Sequence, residues 1–349
     1  MDHVNPPERW FGTDFVAAHR RKYGDRSPER RDLTYDIAVE DEFAPWRRWL
    51  DEQLALLPAK DAVALARKIW LDKDFWTVIF ELATGAALRA AGHVVAYERK
   101  WNGLGPDWTV LGEDDQPLCF VEVHTDNPTD GTFARMKAWH ALVERVRQIP
   151  VGVVLQLATG SPVGPPDAGT AKTIARELHE QLLQGTTRAA FSSCGYTFHV
   201  MGDSRWGGLQ LASPWGVRAC LNPPSGIARI VDTRRLADQV GAKVRKYTAL
   251  AEAYEVPLVV AVGAHKFTGV SLSNVDDLIN GSDAPTINIQ FGAGDVAVSS
   301  EPMTLGPVAP WTMPESLSEL LWVSNEFPFP LTRRPNPTAL RPQSLVLTP

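Results

Sequence analysis

Between residues 74 and 91 apolar side chains recur at three- and four-residue spacing. Phe75, Ile79, Leu82 and Ala86 fall on one stripe, and Gly92 follows the last turn. The spacing predicts an amphipathic helix ended by a left-handed glycine. Shorter runs of the same period, over residues 14–21, 45–56 and 61–70, predict a helical N-terminal region spanning residues 1–70. Its aromatic residues (Trp10, Phe11, Phe15, Trp46, Trp49, Trp70) suit docking onto the rest of the chain.

After Gly92 the period changes to two. Residues 94–98, 107–111 and 118–124 predict three strands, the last two joined by turn chemistry at Gly112-Glu113-Asp114-Asp115-Gln116-Pro117. A helix is expected over residues 132–148. A short continuous apolar run at 151–157 then reads as a buried strand. Beyond a Gly/Pro loop come a helix at 171–183 and short strands at 196–201, 209–212 and 217–221. A long helix at 233–254 and a second buried strand at 257–262 follow. Past Gly269 helical periods fade and prolines accumulate, which predicts an irregular C-terminal extension, residues 269–349, packed on a core of residues 71–268. The pattern as a whole predicts an α/β protein with a mixed central sheet flanked by helices.

Composition narrows the picture. The 349 residues are 44% hydrophobic and 22% charged, ordinary for a globular chain, and the net charge is −6. Contact with phosphates must therefore come from a local basic patch or from metal ions. Cys119, Cys194 and Cys220 lie far apart with no CxxC. A disulfide framework is not expected, and a reducing cytoplasm is the expected compartment. No apolar run approaches the roughly 18 residues needed to span a bilayer. The first residues lack a basic stretch leading into an apolar one, so neither a membrane partner nor a secretory signal is expected. Walker A, Gly-x-Gly-x-x-Gly and Gly-x-Ser-x-Gly patterns are absent, which argues against ATP, dinucleotide and serine-hydrolase chemistry.

The chemistry concentrates between residues 81 and 125. Along the third strand Phe120, Glu122 and His124 share one face, so a carboxylate and an imidazole enter a core strand. A buried carboxylate is costly unless paired or bound to a cation. Asp107, at the start of the preceding hairpin strand, can lie beside Glu122, and Glu81 can approach from the helix. Clustered carboxylates repel unless a cation joins them, and hard oxygen donors suit Mg²⁺ or Mn²⁺.

Glu81 on a helix, Pro106-Asp107 on the second strand, Glu122-Val123-His124 on the third, then a helix and a buried strand: this order resembles the PD-(D/E)XK nuclease superfamily, over about residues 75–157. The resemblance implies a restriction-endonuclease-like fold and a metal-dependent endonuclease. Asp107, Glu122 and Glu81 would hold Mg²⁺ or Mn²⁺ and activate water at a phosphodiester. It implies DNA as the substrate, with RNA second, and a setting in bacterial restriction or anti-phage defence, as a homodimer or with a partner protein. His124 stands where the superfamily has lysine. It could accept the water's proton, since imidazole titrates near pH ~6.5. It could ligate the metal instead. A basic residue from elsewhere, such as Lys100 or Lys137, could supply the charge, or the site could be inactive.

The helix at 233–254 carries a second basic element. Lys243, Lys246 and Tyr247 are spaced to share a face, with Arg234 and Arg235 a few turns earlier. These five residues are the expected grip on a phosphate backbone. Trp101 and Trp108, flanking Pro106-Asp107, either pack under the loop or stack on bases. Two other functions stay open: an inactive nuclease fold that binds nucleic acid or a protein, and an enzyme acting on another phosphate ester.

Overall fold

The computed structural model describes residues 10–23, 35–149, 154–158, 164–184, 190–201, 218–220, 233–282, 286–293, 296–304 and 309–342. The chain forms two compact units, each made of two segments: residues 1–51 with 127–230, and 52–126 with 231–349. These borders cut across the sequential division expected at residues 70 and 268.

In chain order the elements begin with helices α1 (Thr13–Tyr23), α2 (Tyr35–Val39), α3 (Ala44–Ala55), α4 (Ala59–Lys68) and α5 (Asp72–Ala90). Strands β1 (Val94–Tyr97), β2 (Trp108–Leu111) and β3 (Pro117–Asp126) follow, then α6 (Asp130–Arg147), β4 (Val154–Leu157), α7 (Ala168–Leu183), β5 (Ala190–Ser193), β6 (Tyr196–Met201) and β7 (Arg218–Cys220). The chain continues through α8 (Thr233–Tyr254), β8 (Leu258–Ala264), α9 (Leu272–Asn280), β9 (Thr286–Ala293), β10 (Val296–Thr304), β11 (Glu319–Val323) and β12 (Leu331–Pro335). The expected strand at 209–212 lies outside the described residues. No helix among the described residues is long and apolar enough to cross a membrane.

The first unit holds a four-stranded sheet, β5-β6-β4-β7. Helices α6 and α7 pack with it through Trp139, Leu142, Val146, Ile174 and Leu178 against Leu155, Phe191 and Phe198. The helix and buried strand expected to continue the third strand therefore build a different sheet.

The second unit is an open six-stranded mixed sheet, β1-β2-β3-β8-β11-β12. Strands β3, β8 and β11 are parallel, while the flanking pairs are antiparallel. Strand β8 and, after Glu319, strand β11 read as apolar runs, and both are buried along their whole length. A central parallel strand covered on both faces requires that. Alternation along β8 divides the two covers. Leu258, Val260 and Val262 pack against Val240, Val244 and Leu250 of α8 and against Val275 of α9. Gly263 turns the other way, where a Cβ would lie 2.4 Å from the Phe80 ring of α5. Helices α5 and α8 thus occupy opposite faces.

Helix α5 ends as its sequence predicts: Gly92 takes φ 85°, and the His93 amide bonds back to the Leu88 carbonyl at 3.2 Å. The C-terminal segment departs from expectation. Far from being irregular, it supplies β11 and β12 to the central sheet and α9 to its cover. The Glu319-Leu320-Leu321-Trp322-Val323 run is short and opens on an acid, which hid it among the prolines. Arg333 on β12 neutralises that acid with a two-pronged pair, Nε to Oε1 at 2.6 Å and Nη2 to Oε2 at 3.1 Å.

Candidate active site

The β2–β3 hairpin sets Trp108 opposite Val121, so Asp107 falls on the next rung, beside Glu122. The Val123 amide fixes this, donating to Asp107 Oδ2 at 2.7 Å. Glu122 is only 2% exposed. Its Oε1 accepts from Lys243 Nζ of α8 at 2.6 Å, and its Oε2 has no hydrogen-bond partner among the described residues. Burial, then the charges of Glu122 and Glu81, push the Asp107 carboxyl up to about 8.

Glu81 approaches from the opposite layer. Gly85, one turn along α5, lets the Trp108 ring lie against the helix, where a Cβ would come within 2.1 Å of it. Trp108 Nε1 then donates to the Glu81 carbonyl at 2.8 Å, and the Tyr97 hydroxyl donates to Glu81 Oε2 at 2.7 Å. Burial raises the Glu81 pKa, and the charges of Glu98 and Glu122 add to the rise. Among the described residues no three His, Cys, Asp or Glu side chains come close enough to form a metal-holding group. The expected three-carboxylate ligand set is therefore corrected. Asp107 and Glu122 stand side by side on one face, while Glu81, borne by the helix on the other, is engaged by Tyr97.

His124 faces α8, as its parity with Glu122 requires, and its Nε2 lies 3.0 Å from Gln239 Oε1. That oxygen only accepts, so Nε2 carries the proton. Burial lowers the imidazole pKa to about 4, with the cations of Lys243 and Arg235 acting in the same direction, so the ring is neutral near pH 7. The positive charge that meets Glu122 is that of Lys243. Lys137 lies on α6 of the other unit.

The basic helix also differs from expectation. Of the five residues expected to face a phosphate backbone, three turn toward the sheet. Arg235 pairs with Asp126, whose side chain is fully buried. Lys243 pairs with Glu122, and Tyr247 is buried with its hydroxyl donating to the Gly105 carbonyl at 3.0 Å. Arg234 and Lys246 remain exposed. Trp101 and Trp108 are packing residues, both buried, with Trp101 Nε1 donating to Thr109 Oγ1 at 3.0 Å.

One regularity joins these contacts. Asp126–Arg235, His124–Gln239 and Glu122–Lys243 are three successive rungs between β3 and α8. Two strand residues advance about 6.6 Å and four helix residues about 6.0 Å, so the two periods keep step over this length. The signal was present in the sequence as Arg235, Gln239 and Lys243 at four-residue spacing, but reading it needs the knowledge that α8 lies over β3. Sequence reasoning also passed over Glu98. Its amide donates to the Asp107 carbonyl at 3.0 Å, which sets a fourth acid just past the end of β1.

Comparison of the chain with family models, with characterised proteins and with solved structures finds no match in any of the three.

Proposed function

We propose that this protein is a metal-dependent nuclease, hydrolysing phosphodiester bonds in DNA, with its centre at Asp107, Glu122 and Lys243 and a core of the restriction-endonuclease-like kind. The observation that carries the reading is the Lys243 ammonium at 2.6 Å from Glu122, on the rung that Glu122 shares with Asp107. It supplies the acid–acid–lysine set from three elements, with the lysine on a helix instead of two residues beyond the glutamate.

The residues fit a divalent cation. Glu122 Oε2 is buried without a hydrogen-bond partner among the described residues, and Asp107 has its carboxyl pushed up first by burial and then by the charges of Glu122 and Glu81. Both conditions are relieved by a hard cation between the two carboxylates. Mg²⁺ is commonly held by one or two carboxylates with water and substrate oxygens completing the shell, and Asp107 and Glu122 would supply two. When bound, the metal supplies a more acidic water and neutralises charge developing on the phosphate. Asp107 and Glu122 position that water's surroundings. Lys243, released from Glu122, offers its ammonium to a phosphate oxygen or to the attacking water. His124 takes no proton through Nε2, which is committed to Gln239; with Gln239 it holds the middle rung of the α8 wall.

The Lys243–Glu122 pair also favours a second reading, in which the centre is self-neutralised and the fold binds nucleic acid without cutting it. Incubating single- and double-stranded DNA and RNA with the protein in Mg²⁺, Mn²⁺ or EDTA separates the two. The expected result is cleavage in either metal, none in EDTA, and none with Asp107→Ala or Glu122→Ala. Cleavage by either variant at the wild-type rate would remove the assignment, and binding with no cleavage in any metal would favour the second reading.

A further inference from the structure

Beyond Glu122 two further cations stand around the loop that joins β1 to β2. Lys246 lies one turn past Lys243 on α8. Its Nζ donates to the Tyr247 hydroxyl at 2.8 Å and sits 4.5 Å from the centre of that ring. The hydroxyl donates in turn to the Gly105 carbonyl at 3.0 Å. From the loop side the Lys100 ammonium lies over the same residue, 2.6 Å from where a Cβ on Gly105 would be. Both lysines are exposed, and neither makes an ion pair with the described residues. Two solvated ammonium groups are thus held about one glycine, two residues before Asp107. The charges of Glu122, Asp107 and Glu98 also reach the Tyr247 hydroxyl, so an anion drawn to this loop is met by these two ammonium groups against that acidic background.

We infer that Lys100 and Lys246 form a second phosphate subsite beside the Asp107–Glu122–Lys243 centre, so that the substrate is a strand of linked phosphates and not a phosphomonoester or an isolated diester. The inference rests on the proposed reading of that centre. Lysine binds phosphate as a compact point charge, which gives grip without base preference. Gly105 belongs to the subsite because any side chain there would take the space of the Lys100 ammonium. Since the displaced atom is the free end of a flexible chain, Gly105→Ala moves the charge without threatening the fold.

The test is fluorescence anisotropy of a labelled single-stranded oligonucleotide in EDTA across a salt series, with hydrolysis of bis(p-nitrophenyl) phosphate in Mn²⁺ measured alongside. The double variant Lys100→Ala/Lys246→Ala should weaken oligonucleotide binding about tenfold or more. It should also flatten the slope of log affinity against log salt by roughly 1.4, the share of two single-strand phosphate contacts. Gly105→Ala should show part of the same loss, and the small diester should be hydrolysed at an unchanged rate. Unchanged affinity and slope would overturn the subsite, as would loss of small-diester hydrolysis in the double variant. If wild type hydrolyses no diester in any metal, the reading of the centre fails, while the anisotropy still decides the subsite.

Discussion

Lys243 Nζ of α8 lies 2.6 Å from Glu122 Oε1 of β3, and the glutamate is almost wholly buried while a third of the lysine side chain reaches solvent. The two ends of this pair should respond differently to removal. Lys243→Met strands a buried carboxylate and should cost about 3 kcal/mol, the lower end for a broken buried pair. Glu122→Gln leaves a lysine that can turn to water and should cost about 1 kcal/mol. The double variant should recover most of the first loss. Urea denaturation of the four proteins reads the coupling, and strictly additive losses would show that the pair does not act as a unit.

The metal-free protein should lose stability as pH rises. Asp107 has its pKa pushed up to about 8 in the fold, against an unfolded value near 3.9, so the folded state holds the extra proton between those limits. Its contribution is complete below pH ~4 and fades as pH climbs through about 8, with a slope of at most about 1.4 kcal/mol per pH unit. Glu81, also raised, acts in the same sense. His124 and His265, lowered to about 4 and about 3, act oppositely: they destabilise the fold as pH falls below the ordinary imidazole value, so only the carboxyl effect remains between pH ~6.5 and 8. Urea midpoints in EDTA over that window should decline for wild type and flatten for Asp107→Asn. Saturating Mg²⁺ or Mn²⁺ should restore wild type at pH ~8, as binding to the native state alone must.

His124→Lys should not create a better enzyme. Position 124 lies between the Gln239 amide and the cations of Lys243 and Arg235, whose field already disfavours a charged imidazole. A third cation on this wall should lower stability by about 1–3 kcal/mol and leave any metal-dependent cleavage no faster. Nor should it rescue Lys243→Ala. Restored cleavage in that double variant would place the working lysine two residues after Glu122.

Gly85→Ala should destabilise the protein, although the same change in a helix interior ordinarily gains about 1 kcal/mol. The new methyl would meet the Trp108 ring at 2.1–2.6 Å, and forcing the layers apart should cost about 1–3 kcal/mol net. The displaced ring would loosen its bond to the Glu81 carbonyl. A fall in the urea midpoint checks the sign, and a rise would mean that α5 can shift freely over β2.

What was legible in the sequence was local. The 3.6-residue stripe of α5, the two-residue period of β3 and the turn chemistry of residues 112–117 placed Asp107 next to Glu122 and put His124 on the same face. The rest depended on partners far along the chain. Nothing near residue 124 reveals that β3 pairs with β8, that Lys243 returns to Glu122 from 121 residues away, or that Glu81 hangs from the other layer. The five basic and aromatic residues of α8 were read as an outward face because helical spacing fixes which residues align, not which way the stripe points. Strand β11 escaped because five residues opening on an acid carry too little periodicity to stand out from a proline-rich tail.

The pairing of Phe120 with Leu258 carries a consequence for synthesis. As the polypeptide emerges from the ribosome, β3 must wait for well over a hundred further residues before its parallel neighbour exists. Until then an apolar strand edge stays open to wrong partners, the hazard that slows chains with distant pairings. The carboxylates of Asp107 and Glu122 are on that waiting strand and its hairpin mate, and their counter-charge arrives only with α8. Any activity of this centre therefore belongs to the finished chain, and a nascent or truncated one should lack it.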